Sequence, residues 1–594
     1  MYASTRQRLR AVLVPCLMAA AACGAPHSGA GTGDEPVVER NVAVPMRDGV
    51  VLRADVVRPA GAGPFPTLVH RTPYDKTPTA DGSLVQEAVR RGYAVVVQDV
   101  RGRYASDGTF DAYLHEGRDG FDTIEWAGTQ TWSSGRVGTF GLSYPGAVQW
   151  LAAVESPPHL VAMVPAMTFA SPTHFWYTGG VWDGSWLYWT WLNIAPDLRR
   201  RLDVPGPRTA EDARASWAAE GKAAQAFFPR QDLPAFKGVA EWYYEWMRHG
   251  PYDPWWRWAE LTAKYPRVSA AVLNVSGWHD EMYGPLGATT NFSGLVASRG
   301  GDTRSARTQL VIGPWTHGSD WKDTKIGDRE MGPAAALDYT DLVLDWMDRW
   351  VREIENGVAR RPPVRLYVMG AQEWRTGDAW PPRTERRDLY LGGTAVAGRR
   401  PGVLGWTASG QSTRSAFVSD PNAPVRDPHD GEAGGLDYRA LSNDPGVVVF
   451  ETPPLDDDVE VVGPIDAEMH VSVDRPDTDL WVKLLDVAPD GTAYGVMSIG
   501  LDVLRASYRN HRPERELLTP GQVYRLDLHT LMTANRFLAG HRIRVAIMAS
   551  FAPNMSWNLH SGALELESAQ AAVAHVTVHA GGRYPSHLQL PIVR

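Results

Sequence analysis

The sequence predicts an α/β chain: a doubly wound, mainly parallel sheet with helices on both faces, interrupted by a helical insertion and followed by an all-β sandwich. Three observations carry this. Short, valine-rich apolar runs alternate with helical patterns on either side of residues 168–265. The stretch 168–265 itself breaks the rhythm and holds eleven of the 24 tryptophans. Beyond about residue 355, short alternating segments punctuated by Asp-Gly, Pro-Gly and Gly-Gly turns take over. At 594 residues the chain exceeds what one hydrophobic core organises.

The N-terminus reads as an export signal, residues 1–22. Arg6, Arg8 and Arg10 precede the apolar run AVLVPCLMAAAA (11–22), which is too short to span a bilayer as a finished helix. Cys23 follows three alanines and precedes Gly24, a pattern similar to a bacterial lipobox with Ala20 where leucine is usual. Cleavage before Cys23 would leave a lipidated cysteine and a cell-envelope lipoprotein; ordinary signal-peptidase cleavage nearby would give a secreted protein. Cys16 and Cys23 are the only cysteines, so the mature chain has no disulfide and relies on packing. Losing residues 1–22 takes the formal charge from −9 to −12, which excludes nucleic acid and anionic membrane as expected partners. A tether, 23–36, ends in GAGTGDEP; no strand precedes its glycines, so it is no nucleotide loop.

The first part of the α/β core covers 37–167. VVERNVAVPMRDGVVLRADVVRP (37–59) alternates around Asp48-Gly49 and predicts a hairpin. TLVHRTPY (67–74) and YAVVVQDVRG (93–102) are buried-strand patterns with a helix, VQEAVRRG, between them; VGTFGLS (137–143) and LVAMVPAM (160–167) follow. The insertion 168–265 is helical, as in TAEDARASWAAEGKAAQAFF, and its position marks it as a cap over the core, with most of its tryptophans forming its own interior. The second part of the core, 266–355, contains SAAVLNVSGWHD (269–280) and TQLVIGPWTHG (308–318). The remainder, 356–594, starting with PVRLYVMG, predicts a jelly-roll sandwich.

In a doubly wound sheet, reactive groups gather at the carboxyl ends of the strands. Ser143 follows VGTFGL, Asp280 follows AAVLNVSGW and His317 follows QLVIGPWT. A serine hydroxyl needs a base, and the base needs an orienting acid. The order Ser…Asp…His is that of α/β-hydrolases. Ser143 alone would be only a turn serine; its two partners make it a nucleophile. Pro145 stands where the second glycine of G-x-S-x-G is usual, and falls in the first helical turn, where its missing N–H is not needed. The backbone N–H of Tyr144 is one expected oxyanion donor. The other belongs to the loop HRTPYDK (70–76), which has no glycine cluster but has the phenol of Tyr74.

RTPYDK, QDVRGRYASDGTF, GLSYPG, SGWHD and GPWTHG, with DVEVVGPIDAEMHVSVDRPDTDLWVKLLDVAPDG further on, resemble the cocaine esterase and X-Pro dipeptidyl-peptidase group of serine hydrolases. The similarity runs from about residue 40 to the end. It implies an α/β-hydrolase core with a C-terminal jelly roll, Ser143 as nucleophile, His317 as base, Asp280 as its orienter, and Tyr74 with the Tyr144 N–H as oxyanion donors. It also implies that the displaced Gly146 belongs to the family's own pattern. The group's α-amino acid ester hydrolases carry acidic residues two and three places after the triad aspartate. Here those positions are Met282 and Tyr283, with only Glu281 acidic nearby, which favours a carboxylesterase acting on small esters. No cofactor is expected. HDE (279–281) lacks a second ligand cluster at zinc-like spacing, so no metal is expected either. The rival readings are an X-Pro dipeptidyl-peptidase or amide or β-lactam acylase, and, from another class, a non-catalytic ligand-binding lipoprotein.

Overall fold

A computed structural model describes residues 35–594 apart from 282 and 319–320. The expected export signal, Cys23 and most of the tether lie outside the described residues, as does Met282. The hairpin forms as predicted: β1 (Val37–Pro45) pairs antiparallel with β2 (Val51–Arg58), Pro45 opposite Val51. Gly49 makes the turn at φ 87°, where a side chain is disfavoured.

Eight further strands complete the sheet: β3 (Phe65–Thr72), β4 (Ala94–Asp99), β5 (Ser133–Leu142), β6 (Leu160–Ala166), β7 (Ala271–His279), β8 (Thr308–Thr316), β9 (Val364–Val368) and β10 (Glu373–Gly377). Their order is β1-β2-β4-β3-β5-β6-β7-β8-β9-β10. Pairing is parallel from β4 to β9 and antiparallel at both edges. All residues of β4 and β7 are buried, as expected of strands covered on both faces. From β3 the chain adds β4 on one side and then β5 on the other. The residues after β3 and β5 therefore flank the point where the winding reverses, the place such sheets use for ligands.

Two strands, β9 and its antiparallel neighbour β10, fall outside the expected division. PVRLYVMG was expected to open the sandwich, but β9 lies beside β8 in the hydrolase sheet, after the helix Tyr339–Trp350. Val364, Leu366, Tyr367 and Val368 are all buried, so β9 completes a strand–helix–strand unit with β8. A short apolar run does not reveal by itself which sheet it joins.

The insertion is helical, as predicted. Between β6 and β7 lie helices Ser185–Trp189, Ala195–Leu202, Ala210–Gln225 and Glu241–Arg248, with a π turn at Thr190–Ile194. Thr209 caps the longest by accepting from the Asp212 N–H. Trp176, Trp182 and Trp246 are fully buried, and Trp176 stacks on Trp256 with centroids 4.4 Å apart. The C-terminal region is all-β, twelve hydrogen-bonded strands that pair antiparallel except for Gly402–Gly405 with Val448–Glu451. Its longest strands, Val459–Val473 and Val523–Phe537, pair with each other, and Val459–Val473 mostly alternates buried and half-buried positions.

Cap and sandwich are stitched together. Asp183 bridges Met555, the Arg505 N–H donates to the Gly179 carbonyl at 2.7 Å, and the Arg230 N–H donates to the Glu565 carbonyl at 3.2 Å. The Arg505 guanidinium is buried between Asp479 at 2.7 Å and Glu565 at 2.8 Å, so its charge is compensated where it is desolvated. Among the described residues no helix is long and apolar enough to cross a membrane.

Candidate active site

Ser143 sits between β5 and the helix Tyr144–Ala153, at φ 66° and ψ −125°. A serine in this region costs about 1–3 kcal/mol and persists only where its surroundings impose it. They do so here. The Ser143 N–H donates to the Ala166 carbonyl of β6 at 3.0 Å, and the Ser143 carbonyl accepts from the Gly146 and Ala147 N–H groups. A Cβ on Gly141 would come within 2.5 Å of the Pro145 side chain, and one on Gly146 within 2.6 Å of the Ala166 carbonyl. Pro145 occupies the first helical turn, where no donor is missed. The helix begins at Tyr144, whose N–H therefore has no intrahelical acceptor.

Tyr74 follows β3, the neighbour of β5, and its hydroxyl lies close to the Ser143 side chain. The Trp189 indole N–H donates to the same phenol oxygen at 2.8 Å. Burial pushes the Tyr74 hydroxyl up to about 12, although the Trp189 hydrogen bond and the nearby Ser143 hydroxyl oppose the rise, so it stays a protonated donor at neutral pH.

Asp280 and His317 follow β7 and β8, which are also neighbours, with Thr316 opposite His279. The His317 Nδ1 lies 2.5 Å from Asp280 Oδ1. The carboxylate is fully buried and otherwise held by the Ser276 hydroxyl at 2.7 Å and the Glu281 N–H at 2.7 Å. Such an array fixes the acid and, through it, the imidazole ring. His279, one residue earlier, is buried away from this pair, and burial lowers its pKa to about 3. The five predicted residues thus meet as two contact groups, Tyr74 with Ser143–Tyr144 and Asp280 with His317. A run of ring contacts joins them: Tyr144 to Tyr113 at 4.1 Å, Tyr113 to Phe175 at 5.2 Å, Phe175 to Tyr283 at 4.8 Å and Tyr283 to His317 at 5.8 Å.

Sequence reasoning missed two features. The Tyr144 side chain is an anchor: its hydroxyl donates to Glu116 at 2.8 Å and accepts from the Tyr113 N–H at 3.0 Å, while Glu116 pairs with Arg71 at 2.7 Å. The second is Asp183, in the cap and fully buried. Its Oδ1 accepts from the Ser185 N–H at 2.8 Å, but its Oδ2 has no partner. Burial, reinforced by the charge of Glu281, pushes Asp183 up to about 8. Burial also raises Glu281, with Asp280 adding to the rise and His317 opposing it. No sequence signal joins residues 183 and 281, because only the folded cap brings them close.

The sheet order and the strained serine turn define an α/β-hydrolase. Residues 48–319 match the model of the X-Pro dipeptidyl-peptidase (S15) family, and residues 356–589 match the X-Pro dipeptidyl-peptidase C-terminal non-catalytic domain. A cocaine esterase from Rhodococcus sp. (strain MB1 Bresler) is 34% identical over 582 residues, covering 94% of this chain and 99% of that relative. The chain belongs to this S15 family and is a serine hydrolase. Its fold is shared by the solved structure of an α-amino acid ester hydrolase, with a TM-score of 0.76 at 23% identity over 96% of this chain and 98% of that one. An aminopeptidase from the marine sediment archaeon Thaumarchaeota archaeon shares it too, with a TM-score of 0.74 at 21% identity, covering 97% and 99%.

Proposed function

We propose that this chain cleaves carboxylic esters of small molecules through a Ser143–His317–Asp280 triad. His317, held by Asp280, takes the Ser143 proton as the hydroxyl oxygen bonds to the ester carbonyl carbon. The tetrahedral oxyanion is held by the Tyr144 N–H and the Tyr74 hydroxyl. Collapse expels the alcohol, protonated by His317, and leaves an acyl-Ser143. Water, deprotonated by His317, then releases the acid. The observation that carries this reading is the buried Asp280–His317 contact at the same carboxyl edge of the sheet as a strained serine with the Tyr74 hydroxyl close by. The likeness to a cocaine esterase supports ester cleavage. A fluorophosphonate should label the wild type and not Ser143→Ala, and p-nitrophenyl esters should turn over faster than Ala-Pro or Gly-Pro anilides. Labelling that survives Ser143→Ala rejects the nucleophile; anilide turnover with negligible ester turnover rejects the ester.

A second reading is favoured by Asp183. A buried carboxyl with an unpartnered oxygen beside Glu281 is suited to a substrate ammonium, which would supply the missing donors and charge. On this reading the preferred acyl groups carry a free amine, as in amino acid esters or dipeptides. Asp183→Asn would then raise KM for amino acid esters and leave that for acetyl esters unchanged. The export signal and Cys23 support a cell-envelope or secreted location, which mass spectrometry of the mature N-terminus tests.

A further inference from the structure

A phenol oxygen has one proton and two lone pairs, whereas an indole N–H only donates. The Trp189 bond at 2.8 Å therefore takes up a lone pair of Tyr74, and the phenol proton has to point elsewhere. The Ser143 side chain lies close to that oxygen. Trp189 is itself held from several sides: stacked on Tyr144 at 6.1 Å and 14°, edge-on to Trp186 at 5.3 Å, and inclined against Trp242 at 5.8 Å.

The backbone explains how the cap delivers this indole. Directly after Trp189 the chain passes into the π turn Thr190–Ile194, a feature common at functional sites. Two residues on, Trp191 donates to Ser216 at 2.8 Å, so the neighbouring indoles serve different partners. The end of the turn is gripped by Arg103, fully buried, which donates to the carbonyls of Ile194 at 2.7 Å and Asn193 at 3.0 Å. The third bond of the same guanidinium goes to the Pro73 carbonyl at 2.9 Å, the residue before Tyr74. One cation therefore ties the segment that carries the indole to the loop that carries the phenol.

We propose that Trp189 is a positioning residue for oxyanion binding: its indole N–H directs the Tyr74 phenol as a donor toward Ser143, and Arg103 keeps the two segments in register. This rests on the reading of Tyr74 and Ser143 given under Proposed function. The cap is then part of the machinery that binds the transition state, through a residue that need not touch substrate.

The test is a double-mutant cycle on p-nitrophenyl ester hydrolysis with Trp189→Phe and Tyr74→Phe. Trp189 replaced by benzothienylalanine, which exchanges the N–H for sulfur in a ring of the same shape, covers the case in which the phenylalanine variant folds poorly. Tyr74→Phe should lower kcat about 10²–10³-fold, the usual worth of an oxyanion donor. Either Trp189 replacement should lower kcat about tenfold with KM held within about twofold, and should cost nothing more once Tyr74 is phenylalanine. Equal losses in both backgrounds, or a change confined to KM, overturn the positioning role while leaving the nucleophile intact. Wild-type kcat in Tyr74→Phe overturns the oxyanion reading and this inference with it, and activity in Ser143→Ala overturns the triad.

Discussion

Asp280 accepts from three partners, the imidazole, the Ser276 hydroxyl and the Glu281 N–H. Asp280→Asn should keep the shape but present an N–H where an acceptor is needed, and should lower kcat about 10⁴-fold by favouring the wrong imidazole tautomer. Unchanged pre-steady-state acylation would contradict this. Tyr144→Phe tests the anchor. It strands Glu116 Oε1 and the Tyr113 N–H, while Arg71 still holds Oε2, and should cost about 1–3 kcal/mol of stability in denaturant titration. Ser143, Asp280 and His317, the proposed triad, were legible because each follows its own strand end in an order with chemical meaning. Trp189, Glu116 and Asp183 were not. Their partners lie 115, 28 and about a hundred positions away, and nothing local in a sequence encodes such a meeting.

The serine turn is an element whose tolerance is set by close approach. Gly146 stands one place later than the usual pattern, yet it still faces β6, with the Ala166 carbonyl and the Thr168 side chain where a methyl group would go. Gly146→Ala should therefore separate the helix from the strand and move Ser143. We expect fluorophosphonate labelling to slow by more than about tenfold with a loss of about 1–3 kcal/mol in stability. A variant labelled at the wild-type rate would mean that the turn is less constrained than its contacts require. Strand positions were legible to within a few residues, because buried parallel strands leave continuous apolar runs. Their allegiance was less so: β9 carries the same short apolar signature as a sandwich strand, and only its burial beside β8 assigns it to the hydrolase sheet.

For the molecule as a whole, Asp183 ties stability to pH. Its pKa lies above the ordinary range near 4, so between about pH 4 and about pH 8 the native state holds a proton that the unfolded chain releases. The contribution of this group is therefore greatest at the acid end and falls as pH rises through that window. Asp183→Asn is neutral throughout and keeps the oxygen that accepts from Ser185. Its melting temperature relative to wild type should climb from about pH 5 to about pH 8, and parallel curves would exclude the linkage.

The same region has a mechanical meaning. Backbone bonds from Gly179, Asp183 and Arg230 to the sandwich, with a neutralised Arg505 beside them, brace the canopy over the serine from outside the hydrolase sheet. A roof carried on such pillars resists swinging. Turnover should then be indifferent to solvent viscosity beyond the diffusion of the substrate itself, and a fall in kcat with added viscogen would show that the roof moves in each cycle.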